Sequence, residues 1–327
     1  MATFRNRKNK WQARVQRKGQ SSLSKSFLTL DDAKRWARSI ESSIDKGSFT
    51  NQSLAERTTF KELIERYMAE VTPTMRGAIP DLIRLAAISR KSIAKLNLLA
   101  LTPQRICEYR DLRLQEVAPA TVIRELAYFS SIINHARREW GINISNPILL
   151  VRKPNGPQGR TRTIEDYELT KLIEALKPVG RKSIWMAPLV RLALETAMRR
   201  GELLSLRWEH IDLVHRTAHI ELTKNGEART VPLSTKAVEI LLKLPRSIDG
   251  RVFPVTHEVV SQAFNRARKQ AGIENIRFHD LRRTAITKLA ERLPNLVELS
   301  AVSGHKSLAM LKRYYRPNPQ QLALKLG

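Results

Sequence analysis

The chain is 327 residues long and carries 58 Lys and Arg against 31 Asp and Glu, a formal net charge of +27. That surplus implies a polyanionic partner, nucleic acid before a membrane surface, and no apolar run is long enough to span a bilayer. The single cysteine, Cys107, excludes a disulfide framework and a multi-cysteine zinc site, while the length admits two or three domains with a sizeable core.

Residues 1–30 hold no Asp or Glu and eight Lys or Arg. The segments "KWQARVQRKG" and "SSLSKSFLT" read as two short strands joined by a turn at Lys18-Gly19. A helix follows, with Ala33, Trp36, Ala37, Ile40 and Ile44 on one face, Thr29 as its cap, Asp32 three residues on, and Gly47 as its stop. This strand-plus-helix module ends near residue 56. Its Arg5, Arg7, Lys8, Lys10, Arg14, Arg17 and Lys18 are expected to contact DNA.

Residues 57–150 read as helices only. Thr59-x-x-Glu62 is a capping box opening the run Phe60, Leu63, Ile64, Tyr67 and Met68. Thr102-Pro103 opens another helix with proline at its first position. Thr121 to Trp140 is the longest, stopped by Gly141. Basic residues along these helices suit a clamp on a phosphate backbone. The stretch "VRKPNGPQGRTRT", residues 151–163, is a linker by its Pro, Gly and charge, and its Arg152, Lys153, Arg160 and Arg162 are expected to lie along DNA.

Residues 164–327 are mixed. Helices dominate, but "TAHIEL" and "ARTVPL" are strand-like, and Asn225-Gly226 between them is a strong hairpin signal. Lys224 therefore sits at the lip of a small hairpin. The expected fold class is mainly α with small β elements: an N-terminal module (1–56), a helical domain (57–150), a basic linker (151–163) and a mixed domain (164–327).

Several polar residues interrupt apolar helix patterns in the last domain. "LALETAMRRGELLSLRWEHIDL" is broken by Arg199-Arg200-Gly201-Glu202, a cluster that is costly unless its charges are paired or meet a ligand. "RFHDLRRTAITKLA" puts His279 and Arg282 three apart on one helical face. "SGHKS" presents His305 just before a tyrosine-bearing helix. Singly, each has a bland reading: Arg199 paired with Glu202, His279 structural, Lys224 a solvated turn residue. Together they supply what metal-free phosphoryl transfer needs. Two arginines can hold the non-bridging oxygens of one phosphate, a lysine or histidine can protonate the leaving oxygen, and a tyrosine can be the nucleophile. The sequence has no acidic metal cage, no H-E-x-x-H and no P-loop, so neither metal nor nucleotide cofactor is expected.

This constellation resembles the tyrosine recombinase (phage integrase) family, from about Thr163 to Arg316 and more loosely over the helical domain. "TAMRRGELLSL" is similar to the family's T-G-x-R-x-x-E-L box, which implies Arg199 as the first catalytic arginine and Glu202 as its supporting partner. "TKNGEARTVPL" is similar to the family's hairpin and implies Lys224 as the catalytic lysine. "HDLRRTAIT" is similar to H-x-L-R-H-T and implies His279 and Arg282. "SGHKSLAMLKRY" is similar to L-G-H followed nine residues later by the nucleophile, and implies His305 and Tyr314. Ala197 and Arg283 depart from the usual glycine and histidine. The N-terminal module is similar to arm-site-binding domains of some integrases, and the wording of the catalytic half to shufflon-type DNA invertases.

Periodicity selects the same tyrosine. With Ser307 as cap, Leu308, Leu311 and Tyr315 share one face, and Tyr314 lies about 100–120° off it. Tyr315 is then the core residue and Tyr314 the one free to meet a ligand. The resemblance implies a site-specific recombinase that cuts and rejoins double-stranded DNA through a 3′-phosphotyrosine. It also implies a homotetramer on a Holliday junction, a C-shaped clamp, and a C-terminal tail (Leu322, Leu326) packed on a neighbouring protomer. An accessory DNA-bending or directionality factor and a cytoplasmic, bacterial or phage setting go with that reading. A type IB topoisomerase and a regulator without catalysis are the alternatives.

Overall fold

The computed structural model describes residues 2–7, 9–16, 22–45, 53–157, 159–180, 183–221, 228–312, 314 and 319–326. The chain divides into two compact units, Met1–Gln158 and Gly159–Gly327, and the division falls inside the Pro/Gly-rich segment. Among the described residues no helix is long and apolar enough to cross a membrane.

The first unit opens with an antiparallel sheet, β1 (Ala2–Arg7), β2 (Lys10–Val15) and β3 (Leu23–Phe27), in the order β1-β2-β3. The sequence reading anticipated two of these strands. It missed β1, whose only large apolar residue is Phe4, paired across from Ala13. Alternation sends Phe4, Ala13, Val15 and Phe27 to the face covered by α1 (Leu30–Asp45), where Ala33 and Ala37 are buried and the Trp36 ring lies 5.6 Å from that of Phe27. Thr29 caps α1: its Oγ1 accepts the Asp32 N–H at 3.2 Å. The turn at Lys18-Gly19 and the stop at Gly47 lie outside the described residues.

The helices of this unit are α2 (Ser53–Arg57), α3 (Phe60–Glu70), α4 (Ala78–Ser89), α5 (Pro103–Glu116) and α6 (Pro119–Glu139). The capping box forms as read: the Thr59 N–H donates to Glu62 Oε2 at 2.6 Å and Thr59 Oγ1 accepts the Glu62 N–H at 3.2 Å. Thr102 caps α5 ahead of Pro103. The longest helix starts two residues before Thr121, because Pro119 takes the first helical position. Gly141 follows it with φ +63°, the left-handed turn that ends the helix. The core is built on Phe60 and Phe129, fully buried and edge to face at 4.9 Å; truncating either would cost about 3–5 kcal/mol.

The second unit comprises α7 (Asp166–Ala175), α8 (Met186–Thr196), α9 (Arg200–Ser205), β4 (Ile211–Asp212), β5 (Thr217–Ile220), β6 (Arg229–Pro232), α10 (Thr235–Leu242), α11 (His257–Gln270), α12 (Phe278–Arg292), α13 (Leu296–Ser303), α14 (Leu308–Leu311) and α15 (Pro319–Leu326). The two strand-like segments pair antiparallel, with Ile220 opposite Arg229, and β4 adds a short third strand. Helix α8 packs against α10 and α12 around a core that includes Leu189, Leu192, Leu203, Phe253, Phe264 and Leu281. A smaller cluster, Ala197, Ala285, Ile286, Ala290, Leu299 and Leu311, joins the end of α8 to α12, α13 and α14. That second cluster carries the polar site on its rim.

Near the C-terminus the structure departs from the periodic reading. Helix α14 is a single turn ending at Leu311, and the side chain of Ser307 makes no capping hydrogen bond. Leu311 is fully buried, but Leu308 is 44% exposed and is not core. Tyr314 packs partly against the second cluster rather than standing clear of it. Tyr315 lies outside the described residues, as does the side chain of Leu322, while Leu324 and Leu326 on α15 are exposed.

Candidate active site

Helix α8 ends where Ala197 takes the left-handed conformation, φ +51° and ψ +21°. Glycine adopts this turn without strain and alanine does not, which accounts for the glycine expected at this position. The turn aims the Ala197 carbonyl at Arg282 on α12. Arg282 is 4% exposed and donates from Nη1 to that carbonyl at 2.5 Å and from Nη2 to the Ser303 carbonyl at 2.6 Å. Burial, then the neighbouring charge of Arg199, lowers its pKa to about 10, so it remains cationic at neutral pH.

Arg199 stands at the N-cap of α9. Its backbone N–H donates to Glu202 Oε2 at 2.8 Å and its Nη1 to Oε1 at 2.7 Å, leaving Nη2, among the described residues, with only a 3.4 Å contact to the Gly304 carbonyl. Glu202 is buried. Burial works to raise its carboxyl pKa, but the Arg199 backbone N–H and then the charges of Arg229 and Arg199 hold it below its ordinary value. The charge cluster that breaks the apolar run is therefore paired, and it retains a surplus of positive charge.

His305 follows Gly304, whose φ of +67° ends α13. The Ser303 hydroxyl lies 2.6 Å from the Leu299 carbonyl and 2.8 Å from His305 Nδ1. Its one proton goes to the carbonyl, so its oxygen accepts from Nδ1–H and the neutral ring keeps Nε2 unprotonated. Burial, then Arg282, Arg199 and Arg229, push the His305 pKa down to about 4. The Tyr314 ring lies 6.0 Å from that of His305, and the Arg283 guanidinium carbon 5.3 Å from its centroid. His279, one turn before Arg282, stays open to solvent on one side. Its pKa is lowered, by desolvation first and then by Arg282.

Arg199, Glu202, Arg282, His305 and Tyr314 thus converge on the rim of one small apolar cluster, with His279 on the adjoining face of α12. Lys224 lies in the connection between Ile220 and Arg229, outside the described residues. Sequence reasoning missed Arg229, which donates to both carboxylate oxygens of Glu202 at 3.2 and 3.0 Å. The signal was present: in "RTVPL" Arg229 alternates with the buried Val231 and Leu233, placing a charge on the inward face of a strand.

Of the residues expected along DNA, Arg5, Arg7, Lys10, Arg14, Arg152 and Lys153 are exposed, and Lys8, Arg17 and Lys18 fall outside the described residues. Arg160 and Arg162 have protein partners. Arg160 pairs with Asp280 at 2.8 Å and donates to the Asn275 carbonyl at 2.7 Å. Arg162 pairs with Glu168 and donates to the Thr163 carbonyl. Among the described residues no group of three or more His, Cys, Asp or Glu could hold a metal ion.

Residues 162–321 match the model of the phage integrase family. A shufflon-specific DNA recombinase of Escherichia coli is 39% identical over 83% of this chain and 72% of its own length. The chain belongs to the phage integrase family. It is a tyrosine-type site-specific recombinase, an enzyme of DNA strand exchange. Among solved structures, a lambda integrase dimer bound to a COC′ core site shares the fold at a TM-score of 0.65 and 22% identity, covering 96% of this chain and 94% of the other. A lambda integrase tetramer bound to a Holliday junction superposes at 0.67 with 20% identity over the same shares. The expected fold class, mainly α with small β elements, is the one this recombinase has.

Proposed function

We propose that Tyr314 is the nucleophile of strand exchange and that the groups around it act on one scissile phosphate. The Tyr314 phenol gives up its proton to the neutral imidazole of His279, and its oxygen bonds to phosphorus. The P–O5′ bond breaks, leaving a 3′-phosphotyrosine and a 5′-oxygen that takes a proton from Lys224. Arg199 and Arg282 face the non-bridging oxygens and offset the charge that develops there. His305 adds a hydrogen bond, and His279 assists proton transfer. Attack by the 5′-hydroxyl of a second strand reverses these bond changes and rejoins DNA in the new partner, with no cofactor consumed.

The observation that carries this reading is the convergence of Arg282 from α12, His305 from the turn after α13 and Tyr314 from the turn after α14, with Arg199 held beside them by Glu202. We extend it to the assembly: double-stranded DNA with specific sites, four protomers on a junction as in the lambda integrase tetramer, and the exposed leucines of α15 seated on a neighbouring protomer. The exposed basic residues of β1 and β2, with those of the segment after Leu150, would hold phosphates along the site, and an accessory bending or directionality factor would complete the complex.

A nicked suicide duplex, incubated with the protein in EDTA and without ATP, should trap a covalent protein–DNA complex. Tyr314→Phe should bind the same DNA and trap none, while Tyr315→Phe should still trap. Covalent product from Tyr314→Phe, or a strict need for Mg²⁺ in cleavage, would overturn the assignment.

A further inference from the structure

Arg229 is the first residue of β6, directly after the connection that contains Lys224. Its side chain is 13% exposed. Nη1 and Nη2 meet Glu202 Oε1 and Oε2 at 3.2 and 3.0 Å, a bidentate fork on a carboxylate that Arg199 also holds. Its Nε is buried with no hydrogen-bond partner among the described residues. The guanidinium also lies close against Gly304: a Cβ added there would stand 1.9 Å from Nη1 and 2.6 Å from Cζ. Only glycine admits this arginine, independently of the positive φ at that position.

A third arginine in a cluster that already holds Arg199 and Arg282 is costly. Each added guanidinium is desolvated and repelled by the other two, and an orphaned buried N–H adds to the penalty. Satisfying Glu202 is no sufficient reason for it, because that carboxylate already accepts from the Arg199 side chain and from its backbone N–H. What the second arginine changes is how Glu202 is shared. With Arg229 drawing on both carboxylate oxygens, the Arg199 side chain is bound to Glu202 through Nη1 alone, and among the described residues its Nη2 is left with a single long contact. Without Arg229, the carboxylate would be free to take the whole Arg199 fork and neutralise it.

We propose that Arg229 is a positioning residue for strand cleavage: it shares Glu202 with Arg199 and seats against Gly304, and so keeps the outer nitrogen of Arg199 turned toward the scissile phosphate. It acts through Arg199 and does not itself contact the phosphate. The inference rests on the phosphotyrosine reading above.

The test uses the full chain and a nicked duplex enriched from a randomised library by covalent capture on the wild-type protein. Arg229→Met should bind that duplex within about threefold of wild type but cleave it about 10²-fold more slowly, the scale of a displaced catalytic group. Arg229→Lys keeps the charge and loses the fork, and should cleave about tenfold more slowly. The decisive variant pairs Arg229→Met with Glu202→Gln. Removing the carboxylate charge should return Arg199 to the phosphate and recover at least tenfold of the lost rate. A merely structural Arg229 would give losses that add. Wild-type cleavage by Arg229→Lys overturns the inference, as does failure of Glu202→Gln to rescue; if Arg229→Met does not fold, the lysine variant alone and paired with Glu202→Gln decides. No covalent product from wild type would instead overturn the phosphotyrosine reading.

Discussion

Arg283 stands over the ring of Tyr314, its guanidinium carbon 5.3 Å from the ring centroid, and its Nε is buried without a hydrogen-bond partner among the described residues. The resemblance to the family led to histidine as the expected residue here. The contact gives the departure a consequence. A cation over an aromatic face contributes about 0.5–2 kcal/mol, which here would restrict the swing of the Tyr314 ring. Arg283→Ala should therefore slow single-turnover cleavage by roughly 3- to 30-fold, a tenfold change being about 1.4 kcal/mol. Arg283→His should retain most of the rate. An alanine variant that cleaves as fast as wild type would show that the arginine does not hold the nucleophile.

The lowered pKa of His305 makes a prediction about protons. In the free protein burial first, and then the charges of Arg282, Arg199 and Arg229, keep the ring neutral down to about pH 4, with Nε2 unprotonated. A phosphate anion reverses that field, and its oxygen needs a donor at Nε2. DNA binding at pH 6 should therefore take up protons, read as a binding enthalpy that depends on the ionisation heat of the buffer. The uptake should fall in His305→Gln. Equal uptake by both proteins would remove the histidine from the phosphate. Stability should follow the same group. Its folded pKa lies below the unfolded value of 6.5, so its contribution is present above pH 6.5 and is lost as pH falls toward 4.

How much of this was legible in the sequence depends on the range of the interaction. Caps are local, so Thr59-Glu62 and Thr102-Pro103 were readable; the strand-like segments β5 and β6 do pair, while the Asn225-Gly226 turn read between them lies outside the described residues. Boxes of fixed spacing brought out Arg199, Arg282, His305 and Tyr314. Two kinds of feature were not readable. Arg160 looked like a free basic linker residue because its partner, Asp280, lies 120 positions away. Leu308 looked like core because a helical stripe was extended through a helix of only four residues. Arg229 was between these cases: the alternation with Val231 and Leu233 was visible, but not the carboxylate that makes its burial tolerable.

Lys224 lies outside the described residues, and its role is tested chemically. Lys224→Ala should cleave about 10²–10⁴-fold more slowly, the usual range for a positioned acid. A 5′-bridging sulfur leaves without needing a proton, so substituting it should restore cleavage to Lys224→Ala but not to Arg199→Ala. Equal rescue of both variants, or of neither, would assign the proton to another group.

The outer face of the N-terminal sheet gives the last prediction. Alternation sends Thr3, Arg5, Arg7, Lys10, Gln12, Arg14, Ser24 and Ser26 away from α1, and strand pairing arranges them in rows: Arg5 beside Gln12 beside Ser26, and Thr3 beside Arg14 beside Ser24. Every side chain on this face can hydrogen-bond and none is apolar, so an ordinary protein interface would gain little there. A two- or three-stranded ribbon of this width fits the major groove of DNA, with the arginines and Lys10 able to reach phosphates or base edges. Arg5→Ala and Arg14→Ala should each weaken binding of the full chain to long duplex DNA and reduce the slope of log affinity against log salt by about one. Lys34→Ala, on the exposed side of α1, should leave that slope unchanged. Loss of affinity with an unchanged slope would mean the sheet variants disturb folding rather than phosphate contacts, and circular dichroism would register it. If neither affinity nor slope moves, the face does not bind DNA, and the basic start of the chain needs another partner.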